Sequence, residues 1–140
     1  LFDSRVILEW LDLEAGGGRI LPAEPGPRFA ALRLQALADG LADAALLIVY
    51  EGRLRAETER SPGWLAHQQG KIDRALDALE ADRPDAEAPL SVGTIALACA
   101  LGYLDLRLAG RWRDGHPRLV AWLDRFAARV PSFEKTRFVP

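Results

Sequence analysis

Hydrophobic positions along this chain recur at helical spacing, and nowhere do they alternate with polar ones over a length that would make a strand. Val6, Ile7, Trp10 and Leu11 share one face of a short segment near the start. Phe29, Leu32, Ala36, Leu37, Gly40, Leu41, Ala44, Leu47 and Ile48 form a broad stripe on a long segment from about Pro27 to Leu54. Leu65, Gln68, Ile72, Ala75, Leu76 and Leu79 mark a third helix over 62–81, with Lys71, Asp73, Arg74, Asp77 and Glu80 expected to face water. Leu119, Trp122, Leu123, Phe126 and Val130 mark a last one that Pro131 stops. The stretch Pro89 to Leu108 differs from these, because Ile95 to Leu104 carries no charge on any face. A helix apolar all round is expected to be buried, Cys99 with it, and this run falls short of the ~20 apolar residues that span a bilayer. The pattern predicts an all-α bundle packed around that central helix.

End signals agree with these limits. Asp3 and Ser4 can cap the first helix, Ser61-Pro62 opens the third, and Ser91 caps the central one, with Leu90 and Ile95 placed for a hydrophobic staple. Ala109 and Gly110 end the central helix, Arg111 to Gly115 make a turn, and His116-Pro117 starts the last helix. Gly16 to Pro27 is rich in Gly and Pro and reads as a linker, the best candidate for a domain boundary. Ser132 to Pro140 reads as a short polar tail carrying Phe133, Phe138 and Val139.

A length of 140 residues suffices for one domain with a sizeable core. The net charge of −2 argues against a nucleic-acid binder working by bulk electrostatics, which leaves the cluster of Arg107, Arg111 and Arg113 with Tyr103 and Trp112 as a packed helix end. Cys99 is the single cysteine, so neither an intrachain disulfide nor a thiolate metal cluster can form, and a reducing, cytoplasmic setting follows. His67 and His116 stand in no metal-ligand spacing, and no catalytic constellation can be assembled within the chain. There is no Met, and the chain opens on Leu1 as though cut from something longer.

Chemistry can be sought at two further places. A helix N-terminus beginning Asp3-Ser4 offers a hydroxyl and unpaired N–H groups, which serve equally to cap the helix or to receive a carboxylate. On the long helix, Arg28, Gln35, Asp39, Asp43 and Tyr50 follow in steps of four and seven and should share a polar edge.

The run Ser91-x-Gly93-Thr94-Ile95-Ala96, the segment Asp3-Ser4-Arg5-Val6-Ile7-Leu8-Glu9-Trp10, and the closing Val130-Pro131-Ser132-Phe133 resemble bacterial glutathione transferases in order and spacing. The resemblance implies three regions: residues 1–14 as the last helix of a thioredoxin-like domain, 15–26 as linker, and 27–140 as the all-helical C-terminal domain. It implies glutathione as co-substrate, with Ser4 bonding its α-carboxylate and Asp3 near its α-ammonium. Asp39, Asp43, Tyr50, Tyr103 and Trp112 become candidates for the wall that meets a small electrophilic or hydrophobic substrate. A homodimer, a cytoplasmic detoxification role, and neither nucleic acid nor membrane as partner complete the expectation. The alternative is a non-catalytic helical interaction module of the same type. Two departures stand out. Many family members carry Asp where Thr94 stands, although its hydroxyl can still accept a backbone N–H. The thioredoxin-like domain, with the catalytic residue, is expected ahead of Leu1, and the face of Val6, Ile7, Trp10 and Leu11 should pack against its sheet.

Overall fold

The computed structural model describes residues 1–138; Val139 and Pro140 of the expected tail lie outside the described residues. Six helices follow one another: α1 Ser4–Glu14, α2 Pro25–Leu54, α3 Pro62–Ala81, α4 Val92–Leu108, α5 Pro117–Arg129 and α6 Pro131–Lys135. Short 3₁₀ turns at Glu57–Glu59 and Arg111–Gly115 join them, and no strand occurs among the described residues. The fold is all-α, as the periodicity predicts.

One core holds α2 to α5 together. Leu41 and Ala45 of α2, Ile72, Leu76 and Leu79 of α3, Leu97, Leu101 and Leu104 of α4, and Leu119, Trp122 and Phe126 of α5 all lose nearly all contact with solvent. Trp122 stacks on Phe126 at 5.4 Å between centroids, and Phe133 meets Phe126 edge-on at 5.6 Å. Phe133 therefore belongs to the fold, and the segment expected as a polar tail winds into α6. The α4 cap forms in both directions. Thr94 N donates to Ser91 Oγ at 3.2 Å, and Ser91 N donates back to Thr94 Oγ1 at 3.0 Å. Threonine thus does the reciprocal bonding that a longer acid or amide does elsewhere. At the other end Ala109 and Gly110 both turn left-handed, with φ of 56° and 64°.

Three expectations need correction. The long helix starts at Pro25, two residues earlier than Pro27, and its buried face is Ala31, Gln35, Ala38, Leu41, Ala44 and Ala45. Phe29, Ala36 and Leu47, expected inside, are exposed. The crossing with α4 is the reason: a Cβ placed on Gly93 would lie 2.5 Å from Ala31 O and 2.8 Å from Leu34 Cβ. Backbones this close admit only small side chains between them, so the stripe turns towards its alanines and the larger residues swing outward. Second, α4 is not walled in on every side. Leu97, Ala98, Ala100 and Leu101 are buried, but Cys99 and Leu106 are exposed and Ile95 is half-exposed. Phe133 of α6 comes near that line beside Gly102, while Cys99 and Leu106 stay open. Third, Glu80 does not simply face water. It reaches across to α5 and accepts from Arg118 N and Leu119 N, both at 2.8 Å, capping a helix whose own N-cap, His116, makes no side-chain cap bond.

Candidate functional site

α1 meets the bundle in an unusual way. Its apolar residues Val6, Ile7, Trp10 and Leu11 are 37–54% exposed, and only Leu8 joins a small cluster with Ile20, Leu21, Ala31, Leu32 and Val92. These four residues do not dock on the chain's own bundle. Polar contacts hold the helix instead. Arg5 Nε donates to Asp39 Oδ2 at 2.6 Å, and Arg28 Nη2 donates to Glu9 Oε1 at 2.9 Å.

The loop after α1 is built around Asp12. This carboxylate is buried, with 6% exposure, and accepts from Gly18 N, Arg19 N and Ile20 N at 2.8 to 2.9 Å. Gly16, Gly17 and Gly18 all adopt positive φ (99°, 75° and 75°), which lets the chain wrap the carboxylate at little steric cost. Those backbone hydrogen bonds, the one from Ile20 first, hold the Asp12 carboxyl below its ordinary value, against the opposing effect of desolvation. Ile20 O then accepts from Val92 N at 2.8 Å, which ties the loop to the first residue of α4. The expected linker is thus an ordered elbow. Nothing in the hydrophobic pattern marks Asp12, although an acid shortly before three glycines is a usable signal.

At the other end of α1, Asp3 caps the helix by accepting from Arg5 N at 3.1 Å, and Ser4 is exposed beside it. Asp39 is bound to this end through Arg5, a contact 34 residues apart in sequence. The polar edge expected on α2 splits. Gln35 is buried and lines a groove of about 160 Å³ with Arg5, Glu9 and Leu21, while Asp43 and Tyr50 are exposed further along. Steps of four and seven drift around a helix of 3.6 residues per turn, so five such positions do not stay on one line. Tyr50 borders an open groove of about 900 Å³ between the end of α2 and the start of α3, with Leu47, Leu54, Arg55 and Trp64. Glu51 shapes that groove: it is buried, accepts from Ser61 N at 2.8 Å, and pairs with Arg55 at 3.1 Å.

Tyr103 and Trp112 lie elsewhere. Tyr103 is half-buried on α4, and Trp112 is buried in the core, its Nε1 donating to Asp105 at 2.9 Å. Arg113 completes this cluster with bonds of 2.8 and 2.6 Å to the same carboxylate, which raise its pKa above the ordinary guanidinium value. His116 is fixed between Trp112 O and Asp77, and His67 stacks on Trp64. Cys99, though exposed, has enough apolar surroundings that desolvation pushes its thiol pKa up, which disfavours the reactive thiolate. Among the described residues no group of three or more acidic, histidine or cysteine side chains could hold a metal, and no helix is long and apolar enough to cross a membrane.

Residues 62–125 match the model of the glutathione S-transferase C-terminal domain. The GST-like protein YibF of Escherichia coli K12 is 36% identical over 139 residues, covering 96% of this chain and 68% of its own length. The chain belongs to the glutathione transferase family. Among solved structures, a glutathione transferase family member from Pseudomonas fluorescens Pf-5, bound to S-(propanoic acid)-glutathione, superposes with a TM-score of 0.92 at 42% identity. That match covers 100% of this chain and 72% of the other. A glutathione S-transferase from Methylobacterium radiotolerans, complexed with glutathione sulfonate, gives 0.88 at 35% identity over 100% and 68%. In this family member the two ends of α1 differ: a capped N-terminus with Ser4 exposed, and a C-terminal elbow clamped on Asp12.

Proposed function

We propose that this chain is the helical part of a glutathione-dependent transferase. Residues 1–14 serve as the last helix of its thioredoxin-like domain, 15–26 as the linker, and 27–140 as the C-terminal domain. Ser4 donates to the α-carboxylate of glutathione, which also meets the positive end of α1, and Asp3 attracts the α-ammonium. Asp39 acts at this end by holding Arg5, while Asp43 and Tyr50, one and three turns further along α2, face the substrate side. The thiolate of glutathione then adds to an electrophilic carbon or serves a reduction; no residue of this chain is assigned to activate it. The exposed face of α2 around Phe29 and Leu47 is the surface for a second copy.

The observation that carries this reading is the first turn of α1. Ser4 is open to solvent while Arg5, next to it, is fixed to Asp39 at 2.6 Å. Glutathione derivatives in the structures of relatives at 35–42% identity support it. Calorimetric titration of the full-length protein with glutathione tests it. Losing a hydrogen bond to a charged group costs about 1.5–3 kcal/mol, so Ser4→Ala should weaken binding roughly 10- to 100-fold. Unchanged affinity removes Ser4 from the site and takes the reading of α1 with it.

A further inference from the structure

The groove of about 160 Å³ between α1 and α2 holds a group that no contact yet described explains. Gln35 lines it and is only 4% exposed, yet its amide forms no hydrogen bond among the described residues. A side-chain amide carries two donors and an acceptor, and folded proteins rarely leave such buried groups unpaired. Filling space at this point of α2 would be served better by Leu or Met, which bury no polar atoms. The amide of Gln35 therefore asks for polar partners on the groove side.

Two charged residues of α1 line the same groove, and each has bonding capacity left. Arg5 uses Nε on Asp39 at 2.6 Å, while its two Nη groups form no hydrogen bond among the described residues. Glu9 uses Oε1 on Arg28 at 2.9 Å, and its Oε2 has no partner among them. Leu21, Leu32 and Val92 make the remaining sides apolar. A buried water typically makes about three hydrogen bonds, and the groove has room for about five waters at ~30 Å³ each. Donors on Arg5, an acceptor on Glu9 and both kinds on Gln35 supply such a set.

We propose that Gln35 is a positioning residue for glutathione, acting through water bound in this groove. The water accepts from an Nη group of Arg5 and donates to Gln35 Oε1 and to the free oxygen of Glu9. Such bridges are enthalpically nearly as good as direct hydrogen bonds. Arg5 is then held on two sides, by Asp39 through Nε and by the bridge through Nη, so its guanidinium does not swing about a single contact. The first turn of α1 is fixed against rotation away from α2, and Ser4 with it. This matters because the apolar face of α1 stays open, and polar links to α2 set its orientation. The role rests on the reading of Ser4 as a glutathione contact, and the two fail separately in the following experiment.

The full-length protein is titrated with glutathione by calorimetry and unfolded in urea, and the Arg5 Nε–H signal of ¹⁵N-labelled protein is assigned through Arg5→Lys. Gln35→Met keeps the length and removes the amide, whereas Gln35→Asn keeps the amide one methylene shorter, a gap that one more water spans. Gln35→Met should weaken glutathione roughly 3- to 10-fold, the range of one ordinary hydrogen bond. Its urea midpoint should equal or exceed the parent's, and its Arg5 Nε–H should exchange faster even without glutathione. Gln35→Asn should bind within twofold of the parent, and Gln35→Met should add less than twofold in the Arg5→Lys background. An unaltered Arg5 signal, Gln35→Asn as weak as Gln35→Met, or loss of the fold in Gln35→Met overturns the proposal. So does parental affinity in Gln35→Met where Ser4→Ala is weakened. Parental affinity in Ser4→Ala, with Arg5 still responding to Gln35→Met, defeats the reading of Ser4 and the role of Gln35 in binding with it.

Discussion

Gly93→Ala probes the tightest contact in the bundle. The added Cβ would sit 2.5 Å from Ala31 O, 2.8 Å from Leu34 Cβ and 3.1 Å from Leu34 Cδ2. Two of these atoms are fixed by the α2 backbone, so relief requires the two helices to part by several tenths of an ångström. That separation loosens the packing of Leu41 and Ala38 against Leu97 and Leu101, all at most 1% exposed. Overpacking of this kind costs about 1–3 kcal/mol. Against it stands the helix preference of alanine over glycine, at most about 1 kcal/mol in a helix interior and less in the first turn, where Gly93 lies. The net loss is about 1–2 kcal/mol, or a fall in Tm of roughly 3–8 °C for a chain of this size. Gly102→Ala in the same helix is the control. Its Cβ would meet Phe133 Cζ at 3.5 Å, an ordinary contact, so the helix preference should dominate and stability should hold or rise by a few tenths of a kcal/mol. Urea denaturation followed by circular dichroism at 222 nm, with unchanged m-values, measures both. If Gly93→Ala melts like the parent, or loses no more than Gly102→Ala, the close crossing of α2 and α4 is not what sets the buried face of α2.

Further expectations concern the polar devices. Ser91→Ala should cost about 1 kcal/mol in the same urea experiment. Adding Thr94→Ala should cost less than the sum of the two single changes, because each residue completes the other's cap. Glu80→Ala leaves Arg118 N and Leu119 N without their acceptor and should cost about 1–2 kcal/mol, with faster amide exchange at Leu119 and unchanged exchange in the middle of α4. Asp12 has a folded-state pKa below its ordinary 3.8. Its contribution is therefore complete above about pH 4 and is lost as the pH falls through the lower folded value. Asp12→Asn should flatten that acid limb of stability and speed exchange of the Gly18, Arg19 and Ile20 amides. An acid limb identical to the parent's would show that Asp12 stays charged or unbonded in solution.

What the chain discloses in advance follows the range over which each force acts. Helix limits are local, set by caps and prolines within a few residues, so the span of α3 and the Ser91 cap are legible. So is the buried set Leu119, Trp122, Leu123 and Phe126, whose amphipathic pattern is sharp. The orientation of α2 is not, because its apolar residues surround more than half of the helix and only the contact with Gly93, over 60 residues away, selects among them. The exposed line through Cys99 on α4 escapes the same way: an uncharged helix does not say which of its sides a neighbour reaches. At the site, Ser4 and Asp3 can be read from local capping chemistry. The bond that joins Arg5 to Asp39 and the reach of Glu80 to α5 belong to the tertiary fold and have no signature in either segment alone.

The attachment of α1 turns an ordinary rule around, with consequences for the site. Amphipathic helices normally bury their apolar side, and non-directional burial then sets their position to within the tolerance of soft packing. Here the apolar side is open and the polar side faces the bundle. Its position is therefore set by directional contacts: two ion pairs to α2, and at the far end an elbow of three backbone bonds converging on Asp12. Exposed ion pairs contribute roughly 0–1 kcal/mol each, so they hold the helix weakly but specify its rotation and register. The elbow lies about 12 Å from Ser4 along a helix of eleven residues, at a rise of 1.5 Å per residue. A small tilt at Asp12 therefore moves Ser4 by a comparable angle through that lever arm. The hydroxyl proposed to meet glutathione is positioned from both ends of its helix, by Asp39 through Arg5 beside it and by Asp12 from a distance.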